Sequence, residues 1–223
     1  MKFIVFDLSL KDLTIIIANN KSIVFKEKIN VEKNKASLLF TNIQKALKVS
    51  KNNLQDIDFL FSTRGPGNFN GIRIALSFAR GLALGNSLKA AGLSTLECLA
   101  RSINTNKNVG VILKAFPEHF YFQLFDKNYI ALRKPELINI NEELNIVLKK
   151  DNCIIVGNEC NQFAAKIGFA GKVIHLDNPL SSGLMKSALH YLKIKKFQSP
   201  DPLYLRPANV SEPIHWKNSP VIE

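Results

Sequence analysis

Acids, cysteines and long apolar runs are all scarce in this chain, and each shortage removes a class of protein. Among 223 residues, 18 Asp and Glu stand against 30 Lys and Arg, a formal net charge of +12. An acidic, solvating or calcium-loading protein is excluded by that balance. Three cysteines, Cys98, Cys153 and Cys160, form no CxxC pair. That argues against a zinc site and for free thiols in a reducing cytosol. No apolar run approaches the roughly 20 residues that span a bilayer. Met1-Lys2-Phe3-Ile4-Val5-Phe6-Asp7 holds only a short apolar run before an acid, and reads as a first strand rather than a signal peptide.

Catalytic signatures are equally scarce. His119, His175, His190 and His215 make no HExxH or HxxxH pair, and no GxSxG is present. Glu118-His119 falls in an expected strand, where neighbours point to opposite faces. His190 falls on an expected helix as a surface or partly buried residue. Cys98, beside Leu96 and Leu99, reads as a buried inert thiol. The Lys and Arg residues do not cluster with aromatics, so the charge has two readings. One is association with RNA or an acidic partner; the other is a surface rich in Lys and Asn.

What the chain does have is Ser62-Thr63-Arg64-Gly65-Pro66-Gly67-Asn68-Phe69-Asn70-Gly71-Ile72-Arg73-Ile74. An apolar strand from Ile57 to Phe61 runs into this turn, and a helix to about Gly85 leaves it. Such a joint can aim backbone N–H groups at an anion. It lacks the Gly-Lys-Ser/Thr ending of a phosphate loop and the GxGxxG spacing of a dinucleotide site. The alternative is a tight structural turn, with Gly65 and Gly67 giving freedom and Gly71 allowing close helix packing. Candidate anion or nucleotide contacts are Asp7, Arg64, Gly65 and Gly67, with Arg73 flanking.

Residue patterns predict strands at 2–8, 13–18 and 22–29, a helix over 36–48, a strand within 54–61 and another at 88–93. Ser94-Thr95-Leu96-Glu97 fits a capping box. Three hairpin-like strands followed by crossover units imply a mixed sheet, the layout of one actin-like lobe. The polar stretch 103–108 marks a boundary. Beyond it come strands at 109–114, 119–126, 129–133, 153–157 and 172–175, and helices at 141–149, 159–168 and 181–193. The expected division is a first lobe 1–103, a second lobe 104–196 and an extended Pro-rich tail 197–223. The helices of the first lobe carry apolar residues on more than one stripe: Leu38, Leu39, Phe40 and Ile43, then Ile72, Ala75, Leu76, Phe78, Ala79 and Leu82. A sheet could cover them all, or an extra face could serve a partner.

RGPGNFNGIRIALSFARGLALG followed by GLSTLECLA resembles a long joint motif of the bacterial TsaB (YeaZ) family, subunits of the machinery for tRNA threonylcarbamoyladenosine synthesis. The early FDLS and the late PLYLRP fit the same family. The resemblance implies an α/β, actin-like (ASKHA, ribonuclease H-like) two-lobed fold with mixed sheets, in a cytoplasmic, non-catalytic subunit. It implies docking to a TsaD-like catalytic subunit, with a TsaE-like ATPase joining, homodimerisation through the same helices, and only indirect contact with tRNA. Leu39, Phe40, Ile43, Ile72, Ala75, Phe78, Ala79 and Leu82 then become interface residues. No catalytic or metal residues are implied, and ATP or ADP binding is at most weak. Lys114-Ala115-Phe116 replaces the family's usual Asp-Ala-Arg, Asn34-Lys35-Ala36 lacks its His or Glu, and Asn68 and Asn70 replace Ser and Thr. Two other activities fit the wider fold: an actin-like phosphotransferase or ATPase, which needs an acid for Mg²⁺, and a glycoprotease-like peptidase, which needs a metal pair or an activated nucleophile.

Overall fold

In the computed structural model, residues 1–141, 148 and 152–205 are described. The chain opens with β1 (Lys2–Asp7), β2 (Asp12–Asn19) and β3 (Ser22–Asn30). β1 and β2 are buried almost throughout, which is why they read as continuous apolar runs; β3 alternates and lies at an edge. Then come α1 (Lys35–Val49), β4 (Phe59–Thr63), α2 (Phe69–Asn86), β5 (Lys89–Leu93) and α3 (Thr95–Ala100). The later part holds β6 (Asn108–Phe116), β7 (His119–Phe125), β8 (Glu136–Asn139), β9 (Cys153–Gly157), α4 (Cys160–Lys166), β10 (Lys172–His175) and α5 (Ser181–Ile194).

The two sheets repeat one topology. The first is ordered β3-β2-β1-β4-β5, and the second, read from the matching edge, β8-β7-β6-β9-β10. In each, an antiparallel meander is followed by two parallel strands. This is the doubled mixed sheet of actin-like folds. α1 and α2 cover one face of the first sheet, packing Leu39, Ile43, Ala75 and Ala79 on Ile4, Phe6, Ile15 and Ile17. α4 covers the outer face of the second.

Between the sheets, the helices cross the expected boundary. α3 places Leu96, Leu99 and Ala100 on Val109, Val111 and Ile154 of the second sheet. α5 places Leu184, Met185 and Ala188 on Phe3, Val5 and Ile16 of the first. The helix expected to complete the second lobe therefore completes the core of the first. Its apolar stripe fits either sheet, and no periodicity chooses between them.

Two further elements depart from expectation. The strand expected at 129–133 is a loop that meets β7 at an isolated bridge, Ala131 to Phe125, and the third strand of the meander is β8. Asp126 Oδ1 accepts from the N–H groups of Asn128 and Ile130, both at 2.8 Å, and Tyr129 takes a positive φ of 61°. That local turn outcompetes a ladder. Glu118 does not lie in a strand either; it turns between β6 and β7 with φ 63°. The helix expected over 141–149 and the tail beyond 205 fall largely or wholly outside the described residues. Among the described residues, no helix is long and apolar enough to cross a membrane.

The tail up to Leu205 is a strap. Phe197 stacks on Phe59 with centroids 4.6 Å apart, and Gln198 bridges to Gly92 at the edge of β5. Leu203 N–H donates to Arg64 O at 2.8 Å, Arg80 pairs with Asp201, and Tyr204 stacks on Phe69 at 5.6 Å.

Candidate functional site: the Gly-rich joint and the cleft beside it

The joint between β4 and α2 is closed on the first hairpin rather than open to a ligand. Asn68 N–H donates to Ser9 O at 2.6 Å. Asn68 then caps α2: its side-chain oxygen accepts from Gly71 N–H at 2.9 Å. Its carbonyl accepts from Ile72 N–H at 3.0 Å. The glycines are there for contact. A Cβ on Gly67 would lie 2.1 Å from Ser9 O, and one on Gly71 would lie 2.0 Å from Leu8 O. Gly67 also holds φ 152°. Sequence reasoning started the helix at Gly71 and missed the Asn68 cap; an Asn immediately before the first helical residue, Phe69, was the available signal.

Asp7 sits beneath this joint with no exposure. Its Oδ1 accepts from Ser9 N–H at 2.9 Å, Ser9 Oγ at 2.6 Å and Thr63 Oγ1 at 2.6 Å. Its Oδ2 is buried and has no partner. Burial raises its pKa above the usual carboxylate range against the pull of those donors. Asp7 therefore makes a turn and ties β1 to β4.

A cleft of about 320 Å³ lies beside the joint, lined by Leu10, Gly67, Asn68, Lys114, Asn158 and Asp177 among others, and Asp7 is not in its lining. Lys114 N–H donates to Asn158 Oδ1 at 2.7 Å, and its ammonium lies over the Phe120 ring at 4.4 Å. A magnesium-bound nucleotide does not fit these residues. The early acid is sealed under Ser9, and the Asn68 and Gly71 N–H groups are already bonded within the chain. Among the described residues, no three His, Cys, Asp or Glu side chains are grouped to hold a metal ion.

The remaining site residues disperse. Arg64 lines a different cavity, and its Nη1 donates to Gln198 Oε1 at 3.3 Å. Arg73 lies over the Phe69 ring at 4.8 Å. The structure therefore does not gather Asp7, Arg64, Gly65 and Gly67 around one ligand position. Of the eight residues expected at a partner surface, Leu39, Ile43, Ile72, Ala75 and Ala79 are in the core against the sheet. Phe78 is half-buried, with its ring edge-on to Phe6 and Phe40. Leu82 is half-buried and Phe40 half-exposed. The most exposed apolar side chain on either helix is one that sequence reasoning missed: Leu84, 88% exposed. It lies between Gly81 and Gly85, above each of which the space is open. Its position on the stripe opposite Ala75 and Ala79 was the readable signal.

The capping box is half formed. Ser94 Oγ accepts from Glu97 N–H at 3.4 Å, while the Glu97 carboxylate pairs with Arg101 at 2.8 Å. His175 is exposed beside Asp177, and His190 is half-buried on α5. His215 lies outside the described residues. Cys98 is fully buried, which pushes its thiol pKa well up.

The sequence model of the TsaD family, tRNA N6-adenosine threonylcarbamoyltransferase, matches residues 29–188. The chain belongs to this family, on its TsaB (YeaZ) branch. The TsaB protein of Buchnera aphidicola subsp. Baizongia pistaciae, named for tRNA threonylcarbamoyladenosine biosynthesis, is 28% identical over 153 residues, 63% of this chain and 69% of that one. The TsaB protein of Escherichia coli is 46% identical over 59 residues, 26% of each chain. YeaZ from Pseudomonas aeruginosa superposes with a TM-score of 0.77 at 15% identity, over 92% of this chain and 99% of that one. The likeness extends at TM-score 0.52 and 14% identity to the activator of a 2-hydroxyisocaproyl-CoA dehydratase from Clostridium difficile, over 87% of this chain and 95% of that one. These structures share the actin-like fold. In the TsaB-type chain described here, the joint that carries the family motif is a packing device.

Proposed function

We propose that the chain is a non-catalytic subunit for threonylcarbamoyladenosine modification of tRNA, working in the cytoplasm beside a TsaD-like catalytic subunit. A TsaE-like ATPase joins that pair, and tRNA is reached through the partner. The observation that carries the docking is Leu84, 88% exposed on α2 between two glycines with open space above them. An exposed Leu with small residues beside it lets a second helix approach closely. On this reading Leu84 is the centre of the interface, with the buried residues of α2 holding it in place. The same face serves a homodimer when the partner is absent. On this reading the cleft holds ATP or ADP at most weakly, and calorimetry with Mg²⁺ and ATP gives no micromolar heat.

Leu84→Asp tests the docking. The side chain is outside the core, so the variant melts like wild type. A charge buried in the contact costs a few kcal/mol, about 100-fold or more in affinity. Co-expression with the TsaD-like subunit of the same organism, followed by sizing chromatography, should show separate peaks. A complex that survives Leu84→Asp removes α2 from the interface.

A further inference from the structure

A second cavity, of about 410 Å³, shares no lining residue with the cleft. Arg64 at the end of β4, Arg101 after α3 and Lys196 after α5 bring three cations to it, against one carboxylate, Glu97. That carboxylate is fully engaged. Its Oε1 accepts from Arg101 Nε at 2.8 Å, and its Oε2 from Tyr191 Oη at 3.0 Å. Arg101 is 8% exposed, and among the described residues no acceptor meets its terminal amino groups. Arg64 Nε is buried without a partner, and among the described residues its hydrogen-bond acceptor is a neutral amide, with the Asp201 carboxylate, paired to Arg80, farther off. Lys196 has no carboxylate partner among the described residues.

The cavity therefore carries a surplus of positive charge in apolar surroundings, where uncompensated charge is costly and an incoming anion is favoured. His190, also in the lining, adds no positive charge at neutral pH; burial and the neighbouring Arg101 hold its pKa below the usual value. The other walls mix aromatic and aliphatic side chains with Ser94, Gln123 and Gln198. The Arg101 guanidinium lies over the Tyr129 ring at 5.4 Å, and Phe125 and Ile130 adjoin it. The volume lies within the range of small-ligand sites, roughly 300–1,000 Å³.

We propose that this cavity binds a small organic dianion with a flat aromatic body, of the chemical class of a nucleoside monophosphate. One carboxylate cancels one of three cations, which leaves room for the charge of a phosphate monoester, about −1.5 to −2 at neutral pH. The rings of Tyr129 and Phe125 take the body, and Arg64, Arg101 and Lys196 take the phosphate.

Calorimetric titration of the full chain with adenosine 5′-monophosphate tests this, with inorganic phosphate and adenosine as separate arms for head and body. The nucleotide should bind about tenfold or more tightly than either arm. Lys196→Glu, at an exposed position, and Arg64→Gln should each weaken it about tenfold or more, while Lys114→Glu in the cleft leaves it unchanged. No binding by the folded chain at about 10 mM nucleotide overturns the proposal. So does binding that Lys114→Glu abolishes and Lys196→Glu does not.

Discussion

Gly71 is a residue where two physical effects oppose each other and the distances decide. It is the third residue of α2, and Ala would favour the helix there by about 1 kcal/mol. The added Cβ would meet Leu8 O at 2.0 Å, a backbone atom that cannot rotate away. Gly71→Ala should therefore lose about 2 kcal/mol or more, read as a lower urea midpoint. Asp7 sets a second residue-scale test. Below the ordinary carboxylate pKa of 3.8, its proton is bound in folded and unfolded chains alike. Burial raises the folded pKa, so the folded chain keeps that proton to higher pH and stability falls as pH rises through the folded value. Asp7→Asn removes the ionisation and keeps an acceptor for Ser9 N–H. Its urea midpoint relative to wild type should be more favourable near pH 7 than near pH 4. A constant difference would mean that the carboxyl does not titrate with folding. The glycine contacts were legible in the sequence, because Gly71 was read as allowing close packing. The burial of Asp7 beneath Ser9 was not, because an acid after an apolar strand is compatible with a turn and with a metal ligand.

At the scale of elements, α2 shows what a periodic pattern tells and what it leaves out. The spacing of Ile72, Ala75 and Ala79 marks a helix with an apolar stripe. It does not say which of two apolar stripes meets the sheet. The structure turns Ala75 and Ala79 inward and leaves Leu84 and Gly81 outward. Gly81→Ala separates the two roles. The site is exposed and nothing lies within 4 Å of the new Cβ, so the helix should gain about 0.5–1 kcal/mol. If a partner helix lies close over Gly81, the same methyl holds it off. Thermal melting should then rise while co-elution with the TsaD-like subunit weakens. A rise in both would leave the close approach unsupported. The misplaced third strand of the second meander has a different cause. Tyr129, Ile130 and Leu132 have strand-forming character, but the side chain of Asp126 takes the N–H groups of Asn128 and Ile130 into a local turn, and Ile130 and Leu132 end exposed.

For the whole molecule, the mixed, doubled sheets were legible and the helix exchange was not. Three hairpin-like strands before crossover units announced the mixed sheet, and its echo in the second half announced the doubling. Which sheet α5 covers is a long-range matter, settled by contacts with residues far earlier in the chain, such as Leu184 and Met185 with Phe3 and Val5. α5 runs so close to α3 that a Cβ on Gly183 would lie 2.2 Å from Cys98 O. Ser102 Oγ, accepting from Leu180 N–H at 2.9 Å, joins the same two segments. Cutting the chain at the polar stretch 103–108 therefore strips both halves. Residues 1–103 would lose Leu184, Met185, Ala188 and Tyr191 from the face formed by Phe3, Val5 and Phe61. Residues 104–223 would lose Leu96, Leu99 and Ala100 from the face formed by Val109, Val111 and Val156. Each exposed face is an apolar patch that a lone domain does not tolerate. Neither fragment should give a cooperative urea transition or dispersed amide resonances. Mixed and refolded together, the two should regain both, because the missing helices are supplied in trans. A cooperative transition in residues 1–103 alone would show that the first sheet folds without α5.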